Sequence, residues 1–243
     1  METKQLLIKY AAEYETKDFL QGDPSCFMHK VKGELNQEAI AFIASTLSYG
    51  TRKVFLPRIQ YLLDLSKGDV YNWVKDGKFA ISIPDNKECF YRLYTNHHLF
   101  CFLSTLRDLY NKQESLHKFV CQDNNNAYVA IQRIVNYFMG ADIGTMVPHS
   151  TNSACKRICM FLRWMVRDNS AVDLGLWSEI DKRTLIIPMD THVMQQAVIL
   201  GLLNNKTASM KAAQKLSSKM AEFFPDDPIK GDFALFGYGV NNK

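Results

Sequence analysis

The sequence predicts an all-α fold, and three observations carry that prediction. Apolar residues recur at helical spacing through most of the 243 residues. Period-two alternation is confined to the brief "KFAISIP" at 78–84. No internal repeat, low-complexity tract or long linker interrupts the pattern. The simplest architecture is one helical domain over residues 1–243, in which an N-terminal and a C-terminal half form two subdomains packed across a central groove.

The elements follow in order. In "NQEAIAFIASTLSYG", Ala39, Ile40, Ile43 and Leu47 mark a helix that stops at Gly50. "RKVFLPRIQYLLDLSKG" continues the habit up to Gly68. Further helices are expected at 71–76, 97–111, 126–140 and in "SACKRICMFLRWMVR" at 153–167, with "QDNNN" at 122–126 as a loop. After the extended run "LIIP" at 185–188, helices are expected at about 191–203 and 207–223, and a last one in "GDFALFGYGV" after the turn "PDDP".

Composition describes an ordinary globular chain, with 47% hydrophobic and 22% charged residues. The net charge of +4 permits a nucleic-acid partner without demanding one. The opening stretch "METKQLLIKYAAEYETKDF" carries charges throughout, which excludes a secretory signal or membrane span there and predicts a cytoplasmic protein. The six cysteines lack the two-residue spacing of zinc or iron–sulfur ligands, so they are expected as reduced thiols and no metal is expected.

Two segments carry candidate chemistry. Along 153–167, Ala154, Ile158, Phe161, Leu162 and Met165 fall on one stripe, whereas Lys156, Arg163 and Arg167 cluster opposite and are expected to meet water or an anion. In "LIIPMDTHV", Asp190 stands where a helix N-cap belongs, so its carboxylate should have one fixed position. Taken singly, Lys156 reads equally as a solvated helix residue and Asp190 as a plain cap. Together they can converge on one cleft. A lysine amine attacks carbon only when neutral, and a helix N-terminus with Arg157 alongside disfavours the ammonium.

Other residues are weaker candidates. Lys211, Lys215 and Lys219 recur every four residues, with Lys206 just before them and no acidic residue between 206 and 220. They fit phosphate contacts or a solvated face. Arg52, Lys53 and Arg58 form a second basic group, and "FYRLYTNHHLF" at 90–100 offers rings for a pocket or a core. Trp164 and Trp177 are candidate base-stacking residues, and His192 is a candidate phosphate contact.

"ACKRICMFLRWM" followed by "PMDTHV" and a helix resembles the helix–hairpin–helix DNA glycosylases, whose bifunctional members use a lysine and a downstream aspartate. The spacer of 34 residues makes it more similar to the archaeal oxoguanine glycosylases than to the endonuclease III type. The longer pattern "SACKRICMFLRWMVR…VDLGLW…LIIPMDTHV…DFALFGYGV" also resembles an uncharacterised bacterial family common in Bacteroidetes, DUF2400.

The glycosylase resemblance implies a lysine nucleophile at Lys156 that forms a Schiff base, assisted by Asp190, on a base flipped out of damaged double-stranded DNA, with 8-oxoguanine the first candidate. It implies DNA contacts by Arg157, Arg163, Arg167, His192, Lys211, Lys215 and Lys219, a base pocket near Trp164 and Trp177, no cofactor and a monomer. Two departures stand out. The leucine–proline–glycine–x–glycine hairpin is replaced by "MGADIGTMVPHSTNSACKR", and no cysteine follows Cys159, which removes the iron–sulfur subtype. The alternatives are a non-catalytic nucleic-acid binder on the same scaffold and a helical interaction module without nucleic acid.

Overall fold

The computed structural model describes residues 3–204 and 207–242. It is mainly helical, with a single small hairpin among the described residues. The chain divides into two compact units that differ from the expected N- and C-terminal halves. One combines the segment ending at Gln21, Asn124–Gln132 and everything from Ser150 on; the other holds Gly22–Asp123 and Arg133–His149. The N-terminal helix therefore belongs with the C-terminal elements. No helix among the described residues is long and apolar enough to cross a membrane.

The first unit contains α1 (Thr3–Tyr14), the start of α7 (Ala127–Phe138), α8 (Lys156–Val166), α9 (Thr191–Ile199), α10 (Met210–Ala221) and α11 (Lys230–Asn241). Helix α11 packs on α1 and α9. A Cβ at Gly237 would lie 2.4 Å from the Tyr14 ring, so the missing side chain sets how closely α1 approaches.

Helix α8 is buried on every side rather than on one stripe, with all residues from Ile158 to Val166 inside. This corrects the expected basic face. Arg163 and Arg167 are 4% and 0% exposed, and each points into carboxylates. Arg163 reaches Asp173 at 3.2 Å and Asp232 at 2.5 Å, and its guanidinium lies over Phe233. Arg167 binds Asp227 at 2.8 Å, Glu15 at 2.7 Å and Asp173. A buried guanidinium persists only when paired and hydrogen-bonded, and here burial, which opposes its charge, is outweighed by Asp227, Asp173 and Glu15. Trp164 and Trp177 are likewise core residues, 0% and 1% exposed, which corrects their assignment to a base pocket. Trp177 packs edge-to-face on Phe161 at 5.2 Å.

The segment between α8 and α9 closes α8's C-terminus. Leu174 N–H donates to the Trp164 carbonyl and Trp177 N–H to the Met165 carbonyl, both at 2.8 Å. Gly175, at φ +64°, allows this turn, because a Cβ there would lie 2.7 Å from Asp168 Cα.

The second unit contains α2 (Glu34–Leu47), α3 (Arg52–Leu65), α4 (Val70–Lys75), the hairpin β1 (Cys89–Tyr91) and β2 (Tyr94–Thr95), α5 (Asn96–Gln113), α6 (Leu116–Cys121) and the end of α7. The brief alternation at 78–84 forms no strand; Lys78–Ile81 is a 3-10 turn. Phe79 and Ile83, four apart, are buried, and Ile83 N–H donates to the Phe79 carbonyl, while Ile81 is 89% exposed. The alternation was helical spacing seen over too short a window. Helix α6 starts on a buried carboxylate from α2, since Leu116 and His117 N–H groups donate to Glu38 at 2.8 and 3.0 Å.

His97, in the first turn of α5, meets a carboxylate at each ring nitrogen: Asp85 at 2.5 Å and Asp142 at 3.3 Å. Both partners only accept, so the imidazolium is the form that satisfies both. The hydrogen bond to Asp85 first, and Asp142 with it, hold the His97 pKa above its ordinary 6.5.

Two predictions follow from these charge arrangements. Replacing Arg167→Gln leaves three carboxylates facing a buried neutral group and should cost about 3–5 kcal/mol in denaturant unfolding; a loss below about 1 kcal/mol, as for an exposed pair, would contradict the buried network. Because the His97 pKa is raised on folding, its contribution is present below the ordinary value of 6.5 and is lost as pH rises through the raised value. His97→Gln should therefore lower the thermal midpoint at about pH 5.5 and much less at about pH 9, and an equal loss at both would show that the ring acts by packing.

Candidate active site

The chain entering α8 is held from outside the helix. Ser153 bridges to Ser209, and Met210 N–H donates to the Asn152 carbonyl at 3.1 Å, so the loop before α8 is tied to the start of α10. Cys155 then takes a left-handed conformation, φ 45° and ψ 37°, as the N-cap of α8. Lys156 is the first helical residue, with its side chain 37% exposed.

Asp190 arrives from a buried strap. Leu185, Ile186, Ile187 and Met189 are inside, and Ile187 N–H donates to Ser217 Oγ of α10 at 2.9 Å. Asp190 caps α9 as its sequence position implied: Oδ1 accepts the Val193 N–H at 2.9 Å. The second oxygen is turned elsewhere, for Lys156 Nζ lies 3.0 Å from Oδ2. The two oxygens thus have separate roles, one holding the helix and one holding the ammonium. Burial raises the Asp190 carboxyl, but Lys156, the Val193 N–H and His192 together outweigh it and hold the pKa below its ordinary 3.8.

A second carboxylate, absent from the sequence-based candidates, stands behind this pair. Asp232, in the first turn of α11, holds Arg163, and its field is felt with those of Asp190 and Lys156. Burial first, and then the like charge of Asp190, raise its pKa against the opposing pull of Arg163 and Lys156. The only sequence signal was a charged residue inside the otherwise apolar "GDFALFGYG". His192 leans over Gly239 of α11, where a Cβ would lie 2.2 Å from its Nε2.

The remaining candidates separate clearly. Lys211 and Lys215 are exposed on α10, whereas Lys219 is paired with Glu222 at 2.7 Å. Arg157 is half-buried beside Cys155. Lys206 lies outside the described residues. Arg163 and Arg167 serve the interior, so they are not available to DNA phosphates. The span between α7 and α8, residues 139–155, is an irregular loop and not the short turn of a helix–hairpin–helix.

A family model described as "Protein of unknown function (DUF2400)" matches residues 23–241. The chain belongs to that family. The match takes in Lys156, Asp190, Asp232 and both buried arginines, and leaves α1 with Glu15 outside. No curated protein and no solved structure matches the chain.

Because the Asp190 pKa is lowered on folding, its electrostatic contribution is present above the ordinary 3.8 and is lost as pH falls through the folded value. Asn is about as good a cap as Asp, so Asp190→Asn should keep α9 and lose only this contribution. The difference in thermal midpoint between wild type and Asp190→Asn should be largest near neutrality and close below about pH 3. A difference that did not vary with pH would mean that the Lys156 contact adds nothing to the cap.

Proposed function

We propose that this protein is a DNA glycosylase with lyase activity, acting on a damaged base in duplex DNA, with 8-oxoguanine the first candidate lesion. The observation that carries the reading is the 3.0 Å contact between Lys156 Nζ, at the start of α8, and the Oδ2 of the helix-capping Asp190. Asp190 Oδ2 is placed to take a proton from the ammonium, which frees the amine lone pair for C1′ of the flipped nucleotide. The bond from C1′ to the base breaks and the base leaves with a proton. The nitrogen lone pair then expels the ring oxygen O4′ from C1′, O4′ takes up a proton as the sugar opens, and the resulting protonated Schiff base allows loss of the proton at C2′ to expel the 3′ phosphate by β-elimination. Asp190 also faces the positive charge that develops on the sugar, with its own position fixed by the Val193 N–H. Arg157, His192, Lys211 and Lys215 remain as candidate DNA contacts, and the resemblance of "ACKRICMFLRWM…PMDTHV" to the glycosylases supports the same chemistry.

A non-catalytic DNA-binding role is the second reading; the irregular 139–155 loop, where the phosphate-binding hairpin of the glycosylases has no counterpart, weighs against the enzyme. Borohydride separates the two. Oligonucleotides carrying 8-oxoguanine, other oxidised or alkylated bases, or an abasic site are incubated with the protein and reductant. Wild type should become covalently trapped, and Lys156→Gln should lose trapping and strand cleavage while keeping its fold, since Gln at a part-exposed helix position costs only a few tenths of a kcal/mol. Trapping retained by Lys156→Gln would assign the chemistry elsewhere, and no trapping on any substrate would leave the binder.

A further inference from the structure

Two sequence stretches that the catalytic reading leaves unused come together in the second unit. Residues 39–63 and 89–107 contain no aspartate or glutamate, and both carry arginine interleaved with aromatic residues. The Tyr49–Gly50 turn before α3 meets the tip of the β1–β2 hairpin. Tyr91 Oη donates to the Tyr49 carbonyl, and the Arg92 guanidinium lies 4.9 Å from the centre of the Tyr49 ring. Gly50, at φ +92°, makes the room, since a Cβ there would lie 2.3 Å from Arg92 Nη1. On α3, Arg58 stacks 5.5 Å over Phe90, and Tyr61 lies 6.5 Å from the same ring.

The outer surface of this assembly is exposed, basic and partly apolar. Leu93, at the hairpin tip between the paired Tyr91 and Tyr94, is 66% exposed, and Tyr49 is 39% exposed. Lys53, Arg58 and Arg92 are exposed around them, while the nearby Asp23 is buried and already engaged by Arg52. An isolated leucine at a turn would need no explanation. This one follows Arg92, whose guanidinium lies over Tyr49, on a hairpin whose Phe90 carries Arg58, and the set is suited to a polyanion that also offers apolar faces.

We propose that this surface binds a DNA strand with unstacked bases, its phosphates against Lys53, Arg58 and Arg92 and its bases or sugars against Tyr49 and Leu93. A guanidinium over a ring is restrained by cation–π attraction and still carries N–H donors for phosphate oxygens. Base faces reach tyrosine or leucine only where a strand is unpaired, as in single strands or at an opened lesion. The surface lies in a different unit from Lys156, and it stands or falls independently of the lysine chemistry.

The test uses the full chain and a fluorescein-labelled single-stranded DNA oligonucleotide, with the matched duplex for comparison, read by anisotropy across a salt series. Wild type should bind the single strand more tightly than the intact duplex. Arg58→Gln with Arg92→Gln should weaken binding about tenfold or more and lower the slope of log affinity against log salt by about 1.4, the value for two lost phosphate contacts on a single strand. If that double variant unfolds, Lys53→Gln with Leu93→Ser, both at exposed positions, gives the same reading with a smaller slope change. Lys156→Gln, measured alongside, should bind as wild type. Wild-type affinity and salt slope in the surface variants, or no binding of the single strand by wild type, overturns the proposal. Wild-type binding by the surface variants together with trapping lost in Lys156→Gln would overturn the surface alone and leave the catalytic reading standing. Weakened binding with no trapping on any lesion would do the reverse.

Discussion

Two guanidiniums inside the first unit impose the constraint on which its other contacts depend. Removing Arg163 and Arg167 from water is tolerable only with carboxylates in hydrogen-bonding positions. Those carboxylates come from the residue after α1, from the loop after α8 and from both sides of the α11 start: Glu15, Asp173, Asp227 and Asp232. Such pairs are directional where apolar contacts are not. They fix the rotation of α8 about its axis as well as its depth, and a helix fixed in rotation at Arg163 is fixed in rotation at Lys156, seven residues earlier on the same face. The charge at the exposed end of α8 is therefore aimed by charges that never see solvent.

The same network explains why the second carboxylate, Asp232, matters to the pair. Asp190 and Asp232 repel one another, and Lys156 and Arg163 lie among them with the opposite sign. Lys156 thus stabilises a carboxylate, Asp232, beyond its own direct partner. In a low-dielectric setting such coupling is stronger than between solvated side chains. The Lys156 side chain is held by Asp190 on one side and is otherwise partly exposed.

Much of the helical order was legible, because caps and glycines are local signals. Asp190 was placed at the start of α9 from the polar residue preceding "THVMQQAV", and the structure puts its oxygen on the Val193 N–H. The basic stripe of α8 was misread for the opposite reason. Whether an arginine faces water or a buried carboxylate depends on residues such as Glu15 and Asp227, which lie 152 and 60 positions away in sequence from Arg167. No periodicity within the helix carries that information. The tryptophans failed in the same way: Trp164 and Trp177 are large and apolar first, and a stacking role would have needed an exposure that the surrounding chain removes. The β1–β2 hairpin escaped notice because its strands are two or three residues long, too short to display alternation.

Position in the fold also sorts the basic residues by what they can do. Arg163 and Arg167 are saturated by internal acids, and Lys219 is engaged by Glu222, so a count of lysines and arginines overstates the charge that the chain offers to a partner. Of the basic groups that the sequence singles out, those that remain outward divide between the units: Lys211 and Lys215 on α10 in one, and Lys53, Arg58 and Arg92 in the other. The second set differs in kind from the first. Lysines on a solvated helix face act as mobile point charges, whereas Arg58 and Arg92 already rest over the Phe90 and Tyr49 rings before any partner arrives. Preorganised guanidiniums lose less freedom on meeting a phosphate, so on the proposed reading of this surface the arginines of the second unit outweigh the lysine row on α10, although that row is the more conspicuous feature of the sequence.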